Sequence, residues 1–236
     1  VEEGAAIVDI GGESSRPPFY GAAEAVSVAE ECRRVIPVVE GLRRQSAAFI
    51  SIDTVKAEVA ERALAAGADI INDISALQQD PAMAAVAARA GAPVVLMHRR
   101  GTAATMQQNT HYDDLLGEVY GFLTARVQAA MAQGIDCVAV DPGLGFGKSR
   151  EGNLALLGAL DRFGDLECPL VVGASRKSFI WKTLGLSAEE SLEGSLAAAV
   201  LAVGAGAQVL RVHDVAQTLR AARLIEAVRG EVAALC

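Results

Sequence analysis

Acidic and amide side chains stand at the ends of several short apolar runs in this sequence. Asp53, Asn72 and Asp141 come from three separate runs. A carboxylate accepts hydrogen bonds from amino and ring N–H groups, while an amide both donates and accepts them. Such a set suits a heterocycle with guanidine-like edges. It resembles a metal site less, since no His or Cys joins it, although a Mg²⁺ site built from oxygen ligands stays open.

Two cationic pairs complement these groups near the C-terminal end of the chain. Arg176 and Lys177 stand between hydroxyl side chains and could hold an anion or a ring carbonyl. Arg211 and His213 are two residues apart, so a strand would present both on the same face. The alternatives are a solvated basic loop for the first pair and an internal ion pair with Asp214 for the second.

The glycine-rich segment Gly143–Lys148 invites comparison with nucleotide-binding loops. A Walker A loop needs four residues between its first Gly and the Gly-Lys pair, and this segment has three. The dinucleotide-binding fingerprint also fails, because the third glycine arrives one residue early. We interpret the segment as a flexible turn after a strand, where the bare main chain could approach a flat ligand closely.

An alternation of apolar runs and helical stretches must position these groups. The runs have the length and continuous hydrophobicity of strands buried on both faces of a parallel sheet. The predicted strands are Ala5–Ile10, Phe49–Ile52, Ile70–Ile74, Val94–Met97, Val138–Val140, Leu170–Val172 and Val209–Val212. The predicted helices include Val28–Gln45, Lys56–Ala66, Pro81–Ala90, Asp113–Gln133 and Ser191–Ala205. Glycines that favour a left-handed helix cap stand at the helix-to-strand junctions, namely Gly4, Gly67, Gly91, Gly134 and Gly206.

This alternation predicts that the polar groups share one end of an α/β fold. Ligands bind at the C-terminal ends of strands in parallel sheets and barrels. Further strand-end residues are Asp9, Asp73 and His98. Any one of them could merely cap the next helix, but successive strand ends with charge or amide groups indicate a site. Seven strands are predicted, whereas a closed (β/α)₈ barrel has about eight strands and about 250 residues.

Composition excludes several classes of function. Aromatic residues make up only 4% of the chain and the net charge is −8, which argues against a nucleic-acid or other polyanion binder. The four cysteines form no C-x-x-C pair and no metal-binding spacing, which favours a reducing compartment. No apolar stretch is long enough to span a membrane and no signal peptide is evident, so we expect a cytoplasmic protein without a membrane partner.

Seven segments, in order and at similar spacing, resemble those of the dihydropteroate synthases, and the similarity spans nearly the whole chain. The segments are Asp9–Pro17, Ser51–Thr54, Ile71–Ile74, Leu96–His98, Asp141–Lys148, Ser175–Ser178 and Arg211–Asp214. The resemblance implies one TIM-type (β/α)₈ barrel domain over residues 1–236, usually homodimeric and a target of sulfonamides. It implies an enzyme of folate biosynthesis that condenses 6-hydroxymethyl-7,8-dihydropterin diphosphate with 4-aminobenzoate to give 7,8-dihydropteroate and diphosphate.

The resemblance also implies roles for individual residues, with Mg²⁺ as cofactor. The pterin would contact Asp53, Asn72, Met97, Asp141, Phe146 and Lys177. The diphosphate would contact Ser15, Arg211 and His213. The aminobenzoate would contact Arg16, Pro17, Phe146, Lys177 and Ser178. Residues that act on the departing diphosphate and the ring would be Lys177, Arg211 and His213.

Two departures from the family are expected to matter. The family's first strand carries a metal-binding Asn and is followed by a mobile loop, and neither is present before Val1. We therefore expect an N-terminally incomplete barrel that lacks its first strand and has no metal ligand in this chain. The loop Ser15–Gly21 is longer than usual, and Pro18 restricts the backbone where glycine would be free. We hypothesise that this loop alters the aminobenzoate pocket and the response to sulfonamides.

Three alternatives stay open. A catalytically inactive pterin-binding fragment is consistent with a missing first strand. A pterin-binding methyltransferase domain shares the barrel and the acidic set but has less use for the Arg-Lys and Arg-x-His pairs. A generic phosphate-binding TIM barrel is the third alternative, and binding of a pterin without phosphate would count against it.

Overall fold

The computed structural model describes residues 1–14, 26–102, 105–106 and 108–235. Three predicted site residues, Ser15, Arg16 and Pro17, lie outside the described residues, as does the whole of the predicted loop Ser15–Gly21. The strands are β1 (Ile7–Gly11), β2 (Phe49–Asp53), β3 (Ile70–Asp73), β4 (Val94–Met97), β5 (Val138–Asp141), β6 (Val171–Val172) and β7 (Val209–Leu210). The helices are α1 (Val28–Gln45), α2 (Ala57–Ala65), α3 (Met83–Ala90), α4 (Leu115–Ala132), α5 (Arg150–Gly158), α6 (Ser178–Leu184), α7 (Leu192–Gly204) and α8 (Val215–Leu235). A 3₁₀ segment, Leu160–Leu166, follows α5.

All strand pairs in the described residues are parallel, which confirms the predicted α/β alternation. Strands β1 to β5 form one sheet in sequence order, and β6 pairs with β7 in a second. A single bridge between Val140 and Leu170 links the two sheets. Register places Asp53 beside Asn72 and Met97 beside Asp141. Neighbouring strand ends therefore bring predicted site residues together.

Strand β7 is shorter than predicted. It ends at Leu210, so Arg211 and His213 lie just beyond the strand and not within it. The Arg211 N–H still donates to the Val172 carbonyl at 3.0 Å. The His213 N–H instead donates to Ser175 Oγ at 3.2 Å, so a side chain takes the place of a strand neighbour.

Local chemistry explains where several elements begin and end. Helix α1 starts at Ser27, whose side chain accepts from the Glu30 N–H, and Ser149 caps α5 in the same way. The five junction glycines all have positive φ, as predicted: Gly4 at 100°, Gly67 at 112°, Gly91 at 61°, Gly134 at 83° and Gly206 at 94°. L-residues with side chains avoid this conformation, so glycine sets the direction of each following strand.

An aliphatic core holds the sheet against its helices. Fully buried side chains include Ile52 and Ile71 from the strands and Val59, Leu123 and Leu156 from the helices. Each Leu or Ile buried in this way stabilises the fold by about 1.5–3 kcal/mol. Among the described residues, no helix is both long and apolar enough to span a membrane.

Candidate active site

A cavity of about 1200 Å³ runs along the strands, from Pro93 and Cys137 at their N-terminal ends to the C-terminal ends. The sequence-predicted site residues that line it are Asp53, Asn72, Asp141, Phe146, Lys177, Ser178, Arg211 and His213. Met97 is buried, with 4% of its surface exposed. A smaller groove of about 510 Å³ between α2 and α3 contains none of the predicted site residues. The large cavity is therefore the candidate site.

Two carboxylates on one side of the cavity share a single guanidinium. Arg211 Nε donates to Asp9 Oδ2 at 2.5 Å, and Arg211 Nη2 donates to Asp53 Oδ2 at 2.9 Å. The amide of Asn72 lies 3.4 Å from the same Asp9 oxygen. Asp9 Oδ1 is buried and has no hydrogen-bond partner among the described residues. We name Asp9, Asp53 and Asn72 the acid wall.

The protonation of Asp53 is poised near neutral pH. Burial raises the pKa of Asp53 to about 7, and the negative charge of Asp9 acts in the same direction. The Arg211 guanidinium opposes this shift. Near neutral pH, Asp53 can therefore be either a carboxylate, which accepts hydrogen bonds, or a carboxylic acid, which can donate one.

Asp141 and Lys177 form a second acid-base combination around Gly173. Burial raises the pKa of Asp141, whereas the Lys177 ammonium lowers it. Burial lowers the pKa of Lys177 to about 8, opposed by Asp141. A Cβ on Gly173 would lie 3.9 Å from Lys177 Nζ and 4.0 Å from Asp141 Oδ2. The glycine therefore leaves room between the two groups for a flat ligand.

The segment Gly143–Lys148 forms a tight loop after β5, which we name the glycine loop. Gly143 has a φ of 71°, and a Cβ there would stand 1.8 Å from the His98 carbonyl oxygen, so only glycine fits. The loop carries Phe146, whose ring centroid lies 4.7 Å from Lys177 Nζ. Lys177 also donates to the Leu144 carbonyl. The loop thus brings an aromatic face and a cation together at the cavity.

Lys148 anchors the glycine loop from behind. Its ammonium donates to the carbonyls of Gly143 at 2.8 Å and Phe146 at 3.0 Å, and lies 2.9 Å from His98 Nδ1. Only 2% of its surface is exposed. Burial lowers the pKa of Lys148 to about 7, opposed by Asp141. Burial, followed by the Lys148 ammonium, lowers the pKa of His98 to about 3, so this imidazole is neutral.

The two predicted cationic pairs behave differently. Arg176 donates to Asp214 at 2.6 and 3.1 Å, and it also lies among the residues that line the cavity. Its backbone is left-handed, with a φ of 57°. That Arg176 and Lys177 hold the ligand together stays a prediction. Asp214, considered as a partner of Arg211 and His213, forms an ion pair with Arg176.

The Pterin binding enzyme family model matches residues 1–213 of the chain. The dihydropteroate synthase of Escherichia coli K12 is 46% identical over 229 residues, covering 96% of this chain and 79% of that protein. The chain belongs to the dihydropteroate synthase family of pterin-binding enzymes.

Solved dihydropteroate synthases share this fold. The enzyme of Yersinia pestis, in a sulfonamide drug complex, has a TM-score of 0.92 at 42% identity and covers 97% of this chain and 82% of its own. The enzyme of Xanthomonas albilineans, with 4-aminobenzoic acid, has a TM-score of 0.89 at 47% identity. The match covers 97% of this chain and 81% of the Xanthomonas chain. The parallel α/β fold of the chain is therefore that of dihydropteroate synthases.

Two residues at the centre of this dihydropteroate synthase site were given no role by the sequence. Asp9 follows an apolar run as Asp53 does, so its strand-end position was the available signal. Lys148 gave no such signal, because a lysine after glycines is ordinarily exposed. Its importance comes from burial among carbonyl oxygens, which only the folded chain shows.

Proposed function

We propose that the protein is a dihydropteroate synthase that joins 6-hydroxymethyl-7,8-dihydropterin diphosphate to 4-aminobenzoate. The observation that carries this proposal is the convergence of acids and cations around one cavity. Asp53, Asn72 and Asp141 come from three strands, while Lys177 and Arg211 follow two others. A bicyclic ring with donor edges and an anionic tail matches both halves of this arrangement.

The acid wall and Asp141 would bind the pterin ring. Carboxylates accept from the amino and ring N–H groups of the guanidine-like edge, and the Asn72 amide can both donate and accept. Lys177 would donate a hydrogen bond to an oxygen or nitrogen atom of the pterin ring. These groups are partly or fully buried, so hydrogen bonds to a ligand are little weakened by water.

The proposed reaction is substitution at the pterin methylene carbon. The bond from this carbon to the diphosphate oxygen breaks, the bonding pair leaves with the diphosphate, and a pterin-stabilised cation forms. The arylamine nitrogen then supplies the pair for the new C–N bond and loses a proton to solvent. Asp141 favours the cation by facing the ring with negative charge. Arg211 and His213 would stabilise the charge of the leaving diphosphate.

Arg211 would have to change partners during this reaction. Without ligand its guanidinium forms ion pairs with both Asp9 and Asp53. A diphosphate carries more negative charge than either carboxylate and suits the same fork of N–H donors. Binding of the diphosphate would therefore draw Arg211 away and leave Asp53 to the pterin.

We propose that Mg²⁺ enters this site with the diphosphate. The described residues contain no group of three or more His, Cys, Asp or Glu side chains that could hold a metal. Asp9 and Asp53 are both engaged by Arg211, and two carboxylates alone do not form a ready site for a divalent cation. Magnesium commonly binds through substrate phosphates with few protein ligands, so the Mg²⁺–diphosphate complex is a suitable substrate form.

Phe146, Lys177 and Ser178 would form the described part of the aminobenzoate site. The Phe146 ring offers an apolar face, and Lys177 lies over it. Ser178 begins α6 and lines the cavity. Arg16 and Pro17, which lie outside the described residues, remain predicted contacts for the same substrate.

We further propose that the strands follow a TIM-type barrel in which the family's first strand would stand between β7 and β1. In the described ranges no ladder joins these two strands, and the cavity extends between them along Ala6, Val8 and Leu210. Arg211 nevertheless reaches across to Asp9, which supports a curved arrangement. A strand in this position would pair with both edges.

The assembly and location are also proposals. Leu201 on α7 and Leu224 and Val228 on α8 expose 56%, 66% and 51% of their surfaces. Exposed apolar residues on two helices that pack together suit an interface with a second copy, so we propose a homodimer. Cys32, Cys137 and Cys168 form no disulfide, which supports the cytoplasm as location.

Diphosphate release in the presence of both substrates tests the enzyme assignment. We expect release to require 4-aminobenzoate and 7,8-dihydropteroate to appear in equal amount by mass spectrometry. The variant Lys177→Met, which keeps the length of the side chain but removes its charge, should lose turnover. Pterin binding without diphosphate release would instead indicate an inactive pterin-binding protein and overturn the proposal.

A further inference from the structure

Lys148 is a buried cation with an unusual set of partners. Among the described residues, its hydrogen bonds go to the carbonyls of Gly143, Phe146 and His98 and to the His98 ring, and none goes to a carboxylate. Transfer of a charged group into a protein interior is costly unless the surroundings compensate. Here main-chain carbonyl oxygens supply the compensation. The arrangement therefore binds one loop tightly around one ammonium group.

The rest of the glycine loop is held by side chains from other elements. The Gly145 N–H donates to Asn153 Oδ1 on α5 at 2.5 Å. The Tyr112 hydroxyl donates to the Gly147 carbonyl at 2.9 Å. Lys148 binds two other carbonyls of the same loop, those of Gly143 and Phe146. Its removal would leave two loop carbonyls without their shared donor.

Phe146 depends on this loop for its position. Its carbonyl accepts from Lys148, and its ring lies 4.7 Å from Lys177 Nζ. By contrast, Asp53 and Asn72 are fixed by the ladder between β2 and β3, which Lys148 does not touch. Phe146 and Lys177 are also predicted pterin contacts, but the pterin keeps Asp53 and Asn72 when the loop changes. A change at Lys148 should therefore weaken aminobenzoate binding more than pterin binding.

We propose that Lys148 is a positioning residue for aminobenzoate binding, because its ammonium gathers the glycine-loop carbonyls and thereby holds Phe146 against Lys177. This inference rests on the proposed function, since it takes Phe146 and Lys177 as contacts of the arylamine. Lys148 itself need not touch either substrate. Its effect passes through the main chain of the loop.

Calorimetric binding on the purified full chain tests the inference without requiring turnover. The affinity for 4-aminobenzoate is measured on protein saturated with pterin and diphosphate, and the pterin affinity is measured separately. For Lys148→Met we expect the aminobenzoate affinity to fall about tenfold and the pterin affinity to change by less than about threefold. Lys182→Met, the same change at an exposed lysine, should leave both affinities unaltered.

A double-mutant cycle separates positioning from general loosening of the fold. In the Phe146→Ala background, Lys148→Met should have little further effect on aminobenzoate, because the residue through which it acts is gone. Additive losses in the cycle, or an equal loss of pterin affinity, would overturn the inference. If Lys148→Met does not fold, Tyr112→Phe removes another loop contact and should weaken aminobenzoate selectively by about threefold. An unchanged aminobenzoate affinity in Tyr112→Phe would then count against the loop as its determinant.

The two proposals fail in different ways. Absence of diphosphate release by the unmodified protein would refute the enzyme assignment, while the binding measurements would still report on Lys148. Normal diphosphate release combined with unaltered aminobenzoate affinity in Lys148→Met would refute the Lys148 inference alone.

Discussion

The acid wall and the glycine loop border the same cavity, but different interactions hold them. Asp53 and Asn72 are register partners on neighbouring strands, so the sheet ladder fixes their separation. The glycine loop has no ladder, and its main chain is held by the side chains of Lys148, Asn153 on α5 and Lys177, which precedes α6. A sheet spreads any single change over many hydrogen bonds, whereas a loop held by a few contacts responds to each of them. Steric substitutions should therefore disturb the acid wall little, whereas a change of charge there should have a large effect. In the glycine loop, steric substitutions should have the larger effect.

Arg211→Met should produce the largest effect, because it changes the charge of the acid wall. Asp9 and Asp53 would then face each other while buried and without their shared cation. The diphosphate would also lose its guanidinium partner. We expect kcat/KM to fall by about 10³-fold in steady-state assays of diphosphate release.

The matched change for this experiment is Arg33→Met, which removes an arginine from an exposed pair with Glu30. It should leave turnover unaltered. A loss below tenfold in Arg211→Met would show that the acid wall does not depend on this cation.

Gly143→Ala tests the geometric sensitivity of the loop. The new Cβ would collide with the His98 carbonyl at 1.8 Å, in a backbone with φ of 71°. Gly91→Ala is the matched control, since its φ of 61° is similar but nothing lies within 4 Å of its Cβ. We expect the free energy of unfolding to fall by about 3 kcal/mol or more for Gly143→Ala and by about 1 kcal/mol for Gly91→Ala.

Urea denaturation measures both changes. Equal losses would mean that backbone conformation alone accounts for the glycine, and that the close approach to β4 adds nothing.

The acid wall was more predictable from sequence than the loop for the same physical reason. Apolar runs and junction glycines report the strands, and strand ends of a parallel sheet must share one edge, so the meeting of Asp53, Asn72 and Asp141 follows. Asp9 obeys the same rule, but its bond to Arg211 joins residues 202 apart in the sequence, and no local pattern encodes it.

The loop contacts depend on conformation that the residue types do not specify. Lys148 ends a segment with three alternating glycines, and its residue type alone does not distinguish a solvated lysine from one that is 2% exposed. Arg176 and Lys177 are adjacent and chemically similar, yet Arg176 forms an ion pair with Asp214 whereas Lys177 donates to the Leu144 carbonyl. The resemblance to dihydropteroate synthases identified Phe146 and Lys177, but not the residue that holds the loop.

The charge sensitivity of the acid wall also predicts a pH dependence. Burial raises the pKa of Asp53 to about 7, and we expect the pterin to bind the carboxylate form. Protonation below that pKa would remove this form, so the pterin affinity should fall by about tenfold for each pH unit below 7. Calorimetry between pH 5 and pH 8, in steps of about one unit, measures this slope.

Asp53→Asn provides the comparison for that slope. The variant should bind pterin more weakly at pH 8 and show a smaller loss on acidification, because its side chain does not titrate. Asp141, whose pKa burial also raises, can contribute to the slope that remains. Identical slopes in both proteins would assign the titration to a residue other than Asp53.

Ser175→Ala should give the smallest effect, since Ser175 belongs neither to the acid wall nor to the glycine loop. Ser175 Oγ accepts from the His213 N–H at 3.2 Å and lies 3.1 Å from His213 Nδ1, so it orients the imidazole on the diphosphate side. Loss of one such contact is worth about 1 kcal/mol, or about fivefold in kcat. The pterin affinity should not change, because the acid wall stays intact. In the His213→Ala background only the main-chain contact remains to be lost, so the substitution should cost less than about fivefold in kcat, and a full fivefold loss there would mean that Ser175 does not act through the imidazole.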